Sequence, residues 1–276
     1  MNKYLIFPFA CIVTFVIVLP VMADPIDDLA AMQDFFTKRF PSIELKAHGD
    51  GVYALDESKR EQWMEIEDFP PYEIAVDEGE ALFGITFSNG KSYASCFDNE
   101  GIGVKHNFPY FDKEKGEVIT LALAINQCRE LNDEKMLPYS SEEMGALSAY
   151  MAYTSRGKLY EIEVPPEGRK AYESGKQFFY ERRGQLNFSC SSCHLDSAGG
   201  MLRDEILSAT IGHATHWPTY RSKWGAIGSL HKRFAGCNRQ VGAVDLPQQS
   251  ESYRNLEYFL TYMNNGMVLN GPGSRK

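Results

Sequence analysis

Positive charge is scarce in the first third of this chain. Between residues 24 and 100 there are 6 basic residues against 18 acidic ones, and the formal net charge of the whole is −9. No nucleic-acid partner is expected from such a balance. A second Cys/His pair at zinc spacing is also missing, so a Cys-x-x-Cys pair found anywhere here lacks the other half of a structural zinc site. Cysteine itself is sparse, at six in 276 residues.

What is present begins with an export signal. Lys3 precedes an almost wholly apolar run at 5–21, and Val21-Met22-Ala23 ends in small residues of the A-x-A kind. The run approaches the roughly 18 residues of a spanning helix, so an uncleaved anchor is the alternative. Pro8, Pro20 and the cleavage site favour a signal peptide cut after Ala23, with Cys11 leaving inside it. The mature chain is then expected in the periplasm, with no membrane span and with five cysteines in an oxidising compartment, where any unpaired thiol needs a reason.

Residues 107–157 align without a gap on 216–266 at a constant offset of 109. Only 11 of these 51 positions are identical, but they fall on backbone-shaping and core residues: Pro109 and Pro218, Gly116 and Gly225, Leu121 and Leu230, Cys128 and Cys237, Leu137-Pro138 and Leu246-Pro247. Each copy is predicted to end in a helix N-capped by Ser141 or Ser250 and closed by Gly157 or Gly266 at C′. Gly90 lies six residues before Cys96 as Gly184 lies six before Cys190, so Cys96 holds the place of the second copy's cysteine motif.

That motif is Cys190-Ser191-Ser192-Cys193-His194, the C-x-x-C-H signature in which two thiols add to haem vinyl groups and the histidine reaches the iron. A Cys190–Cys193 disulfide or half a zinc site is the alternative. The expected cofactor is one covalent haem c, and the expected fold is mainly α: two fused cytochrome c-like domains related by the repeat, with an N-terminal extension. The boundaries read as a signal peptide at 1–23, an extension at 24–75, a haem-less domain at 76–163 and a haem-binding domain at 164–276, with a linker near Val164-Pro165-Pro166. The extension offers Phe35, Phe36, Phe40, Tyr53 and Trp63 for packing and has no functional reading.

The candidates for a sixth iron ligand are Met201, His213, His216, His231, Cys237, Met263 and Met267. The repeat favours Cys237. Cys96 and Cys128, facing each other where a haem is gone, are placed to close into a disulfide, which leaves Cys237 as the odd thiol. Its setting is cationic, with Lys232, Arg233 and Arg239, and positive neighbours favour the thiolate. A buried core cysteine is the alternative. His216, aligned with Asn107, reads as structural or as a haem-propionate partner.

These segments resemble the SoxA family, the larger subunits of SoxAX cytochromes. The likeness rests on 188–194 around the haem motif, on Ile211-Gly212-His213-Ala214-Thr215-His216-Trp217-Pro218-Thr219-Tyr220-Arg221, on Arg233-Phe234-Ala235-Gly236-Cys237-Asn238, and on the segments around Cys96 and Cys128. Because Cys96 is followed by Phe97-Asp98-Asn99, the chain resembles the monohaem type. The resemblance implies His194 as proximal ligand, Cys237 as distal ligand and cysteine persulfide, Arg233 as the thiosulfate-binding cation, and a Cys96–Cys128 disulfide. It implies an L-cysteine S-thiosulfotransferase that couples thiosulfate oxidatively to a cysteine of the SoxYZ carrier, with a small SoxX-type cytochrome as partner. An electron-transfer cytochrome without substrate chemistry is the alternative, and it predicts Met or His as distal ligand. A basic residue that follows the ligand cysteine in the family is replaced here by Gly242, and Arg239 would have to stand in for it.

Overall fold

The computed structural model describes residues 24–276. The segment read as a signal peptide, with Cys11 inside it, lies outside the described residues. The first helix, α1 (Pro25–Arg39), starts where Asp24 accepts a hydrogen bond from the Ile26 amide and proline occupies the first helical position. Asp27 and Asp28 lie in its first turn, with Lys38 and Arg39 in its last. Its apolar stripe of Leu29, Met32 and Phe36 is buried. A 3₁₀ stretch, Leu45–Ala54, leads to α2 (Glu57–Glu67) and α3 (Glu73–Phe83), so the boundary placed at residue 75 falls inside a helix.

The extension is strapped mainly to the second half of the chain, while Tyr72 near its end accepts from Arg156 of the first at 2.7 Å. Lys176 reaches both carboxylate oxygens of Asp28 at 2.7 Å, and the Tyr172 hydroxyl donates to Asp28 at 2.8 Å. The Arg39 guanidinium donates twice to the Ala198 carbonyl, at 3.0 and 2.8 Å, and the Thr215 hydroxyl donates to the Gly49 carbonyl at 3.1 Å. Arg275, near the C-terminus, lies over the rings of Tyr53 and Trp63. The aromatic residues of the extension therefore pack against the half that carries the haem motif.

The hairpin β1 (Tyr110–Asp112) and β2 (Glu117–Ile119) precedes α4 (Leu121–Leu131) and α5 (Glu142–Tyr153). After α6 (Arg169–Tyr180) comes a π-helical turn, Ser192–Asp196, then the small hairpin β3 (Met201–Leu202) and β4 (Glu205–Ile206). The chain closes with β5 (Thr219–Arg221), β6 (Ala226–Gly228), α7 (Leu230–Gln240), α8 (Glu251–Tyr262) and β7 (Gly273–Arg275). Strand β5 pairs antiparallel with β6 and parallel with β7. The elements β5, β6, α7 and α8 begin and end 109 positions after β1, β2, α4 and α5. Both hairpins turn at a glycine with positive φ, Gly116 at 68° and Gly225 at 62°.

Two details differ from the sequence reading. Ser141 caps α5 by accepting from the Met144 amide at 3.2 Å, whereas the Ser250 hydroxyl makes no capping bond and the first turn of α8 closes through the Ser250 carbonyl alone. Gly157 and Gly266 do adopt left-handed φ, 85° and 80°. They stand three residues beyond the C-caps Thr154 and Met263, because both helices end in an extra tight turn.

One core cluster is built around Phe83, Tyr93, Ile125, Met144 and Leu147, and a larger one around Tyr172, Phe179, Ile211, Leu256 and Phe259. The larger cluster also takes in Tyr160 and Ile162, which the boundary at 163 had assigned to the first half. Backbone bonds from Gly157 to Leu269 and from Tyr160 to Met267 hold this stretch there. The halves are joined by an ion pair, Arg254 to Glu117 at 2.7 Å, and by the Thr120 hydroxyl donating to Gln249 at 2.7 Å.

Candidate haem site

The haem motif is folded by its serines. The Ser189 hydroxyl accepts from the Ser192 amide at 3.1 Å and lies 2.7 and 2.9 Å from the Ser191 and Ser192 hydroxyls. This network tightens the turn on which Cys190 and Cys193 sit three residues apart, the spacing at which helical side chains are neighbours. Neither thiol is disulfide-bonded. The Cys190 thiol is pushed up to about 12, first by burial and then by negative charge at Cys237, with Arg183 opposing. Cys193 is raised by the same two causes in the same order.

His194 is held at both ends. Its backbone carbonyl accepts from the Thr210 amide and hydroxyl, each at 2.9 Å, and its ring Nδ1 lies 3.0 Å from the Ser208 carbonyl oxygen. That carbonyl can only accept, so Nδ1 carries the proton and Nε2 keeps the lone pair a metal needs. Burial pushes the imidazole down to about 4 against the Ser208 bond, and the Arg233 charge adds to the fall. Two unpaired thiols and an imidazole of fixed tautomer form the donor set that covalent haem c requires. Among the described residues no three His, Cys, Asp or Glu side chains are grouped to hold a bare metal ion.

Helix α7 brings the remaining residues in. Ser229 caps it by accepting from the Lys232 amide at 3.1 Å, and Asn238 anchors it to α8 by donating to the Tyr253 hydroxyl at 3.0 Å. Arg233 and Cys237 lie one turn apart on this helix, both part-buried. Charge at Cys237 acts on both motif cysteines, and the Arg233 charge acts on His194 and His213.

The other ligand candidates are His213, His216, His231, Met201, Met263 and Met267. His213 packs edge-on to His194 with ring centroids 4.3 Å apart, and its Nε2 lies 2.8 Å from the Ser208 hydroxyl. Burial first, then the His194 and Arg233 charges, keep it neutral. His231 is fully buried between the Gln249 amide and the Glu257 carboxylate, each at 3.0 Å. His216 is buried beside Trp217 with its Nδ1 unpartnered. Met201 is 60% exposed on β3, while Met263 and Met267 belong to the core cluster. Arg239 is tied to Asp245 at the surface. Gly242 itself has φ +69° and lies against Gln185, in a cleft of about 380 Å³ that Arg183 also lines.

In the first half, Cys128 of α4 occupies the register that Cys237 has in α7, and it is bonded to Cys96 at 2.00 Å. Sequence reasoning missed Ser189, Ser208 and Thr210, which position the haem motif, and gave Arg221 no role. Comparison at the offset of 109 would have flagged Arg221, since its counterpart is Asp112.

The family model for the SoxA/TsdA cytochrome c domain matches residues 78–159. The chain is 52% identical over 250 residues to the L-cysteine S-thiosulfotransferase subunit SoxA of Chlorobaculum tepidum, covering 90% of this chain and 87% of that one. It is 50% identical over 257 residues to the subunit of the same name from Allochromatium vinosum, covering 92% and 91%. The crystal structure of SoxXA from P. pantotrophus is similar in fold, with a TM-score of 0.72 at 28% identity over 78% of this chain and 84% of that one.

Proposed function

The chain belongs to the SoxA family, and from that premise we propose that it is the substrate-handling subunit of an L-cysteine S-thiosulfotransferase. The observation that carries this reading is the placement of Arg233 and Cys237 one turn apart on α7, with Cys237 acting on both haem-motif thiols. Cys190 and Cys193 would hold one haem c covalently, and His194 and Cys237 would ligate its iron. When bound, the haem supplies an electron acceptor beside the Cys237 sulfur.

The residues themselves do the binding and the sulfur chemistry. Arg233 pairs with the sulfonate oxygens of thiosulfate through charge-assisted hydrogen bonds. The Cys237 sulfur, carried as a persulfide, forms a bond to the outer thiosulfate sulfur, and two electrons leave. The carrier's cysteine thiolate then attacks the thiosulfate-derived sulfur, its proton having been lost to solvent, and Cys237 departs as the leaving group with no further change in oxidation state. The net change joins one carrier thiol to one thiosulfate with release of one proton and two electrons.

The carrier is of the SoxYZ kind, and a SoxX-type cytochrome is the partner that takes the electrons, a pairing supported by the likeness to SoxXA. The equal spacing of four element bounds and the match of a cytochrome c family model to 78–159 support two fused cytochrome c-like domains, the first without haem. The apolar run at 5–21 and the Cys96–Cys128 disulfide support the periplasm. No described helix is long and apolar enough to cross a membrane.

The test is turnover of the haem-loaded protein with its partner cytochrome, thiosulfate and carrier. The expected result is a carrier cysteine that gains one thiosulfate. Haem that cycles electrons while the carrier stays unmodified would leave the electron-transfer reading in its place.

A further inference from the structure

We propose that Arg221 and Arg233 form a two-guanidinium clamp that holds the thiosulfate dianion beside Cys237. This rests on the reading of Cys237 and Arg233 given above. Arg221 ends β5 opposite Ala226, at the turn of the hairpin, and the Trp224 ring in that turn links it to α7, since Lys232 of that helix places its Nζ 4.6 Å from the same ring. Trp224 supports it: the guanidinium carbon lies 5.4 Å from the indole ring, and Gly228 lets that ring lie flush, since a Cβ at 228 would fall 2.2 Å from it.

The two guanidiniums differ from the other part-buried arginines in lacking partners. Arg254 bonds Glu117 and the Gln249 carbonyl, Arg60 bonds Asp50, and Arg129 bonds the Tyr93 hydroxyl and the Lys135 carbonyl. Among the described residues, Arg221 and Arg233 have no carboxylate within 4.0 Å and no hydrogen bond from the side chain, and Arg221 has only its ring contact. Instead they oppose each other: burial first and then the Arg233 charge bring Arg221 down to about 10, while negative charge at Glu205 and then at Cys237 counters this. Two part-buried cations without a carboxylate partner, near enough to feel each other's charge and that of Cys237, are matched to a doubly charged anion.

The repeat supplies an independent reason. At the offset of 109, the half whose cysteine is spent in a disulfide has Asp112 and Ala124 in the places of Arg221 and Arg233. Both cations are present only where the cysteine is free. A role in folding the hairpin and helix would be shared by both halves, and a role in anion binding is not.

The experiment uses the haem-loaded complex with its partner cytochrome. Arg221→Gln is expected to raise the KM for thiosulfate by at least about tenfold, the loss of one charged hydrogen-bonding partner. The KM for carrier and the haem absorption spectrum should stay within about twofold and unchanged, and Arg221→Lys should recover part of the loss. Calorimetric titration with sulfate, an unreactive dianion, reads the clamp without turnover, and each single Gln variant should weaken sulfate binding about tenfold. Sulfate affinity unaltered in Arg221→Gln, no sulfate binding by the unaltered protein, or a rise confined to the KM for carrier would each overturn the clamp. If the unaltered protein binds sulfate through both arginines yet never modifies the carrier, the clamp stands and the functional reading falls.

Discussion

Gly175 of α6 lies so close to Asn255 of α8 that a Cβ at 175 would fall 2.0 Å from the Asn255 carbonyl oxygen. The same relation joins α3 to α5, where a Cβ at Gly79 would fall 2.1 Å from the Ala146 carbonyl oxygen, and Ala146 is the counterpart of Asn255 at the offset of 109. Each half thus crosses its last helix over the helix before its cysteine motif at backbone contact. Gly175→Ala must push α6 off α8, which also carries Phe259 against Tyr172 and Phe179. The expected cost is about 1–3 kcal/mol of stability. Chemical denaturation of the haem-loaded protein measures it, and a variant as stable as the parent would mean that the crossing is looser than described.

The disulfide yields a second expectation. Cys96 and Cys128 close a sequence separation of 32 residues in the half that has no haem motif. Removing a bridge of that span typically lowers stability by roughly 3 to 4 kcal/mol, less any strain. Peptide mapping without reduction should recover the two cysteines in one linked species, and Cys96→Ser with Cys128→Ser should lower the denaturation midpoint. Free alkylation of both thiols in the native exported protein would contradict the bond.

Haem stoichiometry gives the third. Only Cys190, Cys193 and His194 form an attachment motif, and the counterpart region around Cys96 is bonded to Cys128. Intact mass of the exported protein, made with the haem-maturation machinery, should show a single covalent haem. Two adducts would require an attachment site that the sequence does not contain.

The elements that place the site were largely legible in the sequence, because glycine, proline and cysteine at a fixed offset mark backbone geometry that survives when most other residues change. Hence Gly116 and Gly225 were marked as backbone-shaping positions, and the helix that ends each copy was read correctly. The Ser250 cap was not, since a serine before acidic residues has the same pattern whether or not its hydroxyl turns toward the helix. The extension defeated the sequence for another reason. Its bonds reach Ala198, Thr215, Tyr172 and Lys176, partners more than 100 positions away that no local pattern announces. In the site, C-x-x-C-H was a local signal, whereas Ser208 and Arg221 act through the fold and carried none.

The last expectation concerns Cys237. Its thiol is part-buried on a helix anchored at both ends, by Ser229 and by Asn238, and its charge acts on both haem-motif cysteines. Cys237→Met keeps a sulfur donor on that turn of the helix but removes the ionisable thiol, so it cannot form a persulfide or a disulfide-like bond to substrate. The variant should still mature with one covalent haem, because attachment depends on Cys190 and Cys193 and on a His194 fixed by Ser208 and Thr210. A thioether in place of a thiolate should change the absorption and EPR spectra of the haem, and thiosulfate-dependent modification of the carrier should cease. Unchanged spectra with full activity would remove Cys237 from both roles, while changed spectra with full activity would separate the iron ligand from the sulfur that reacts.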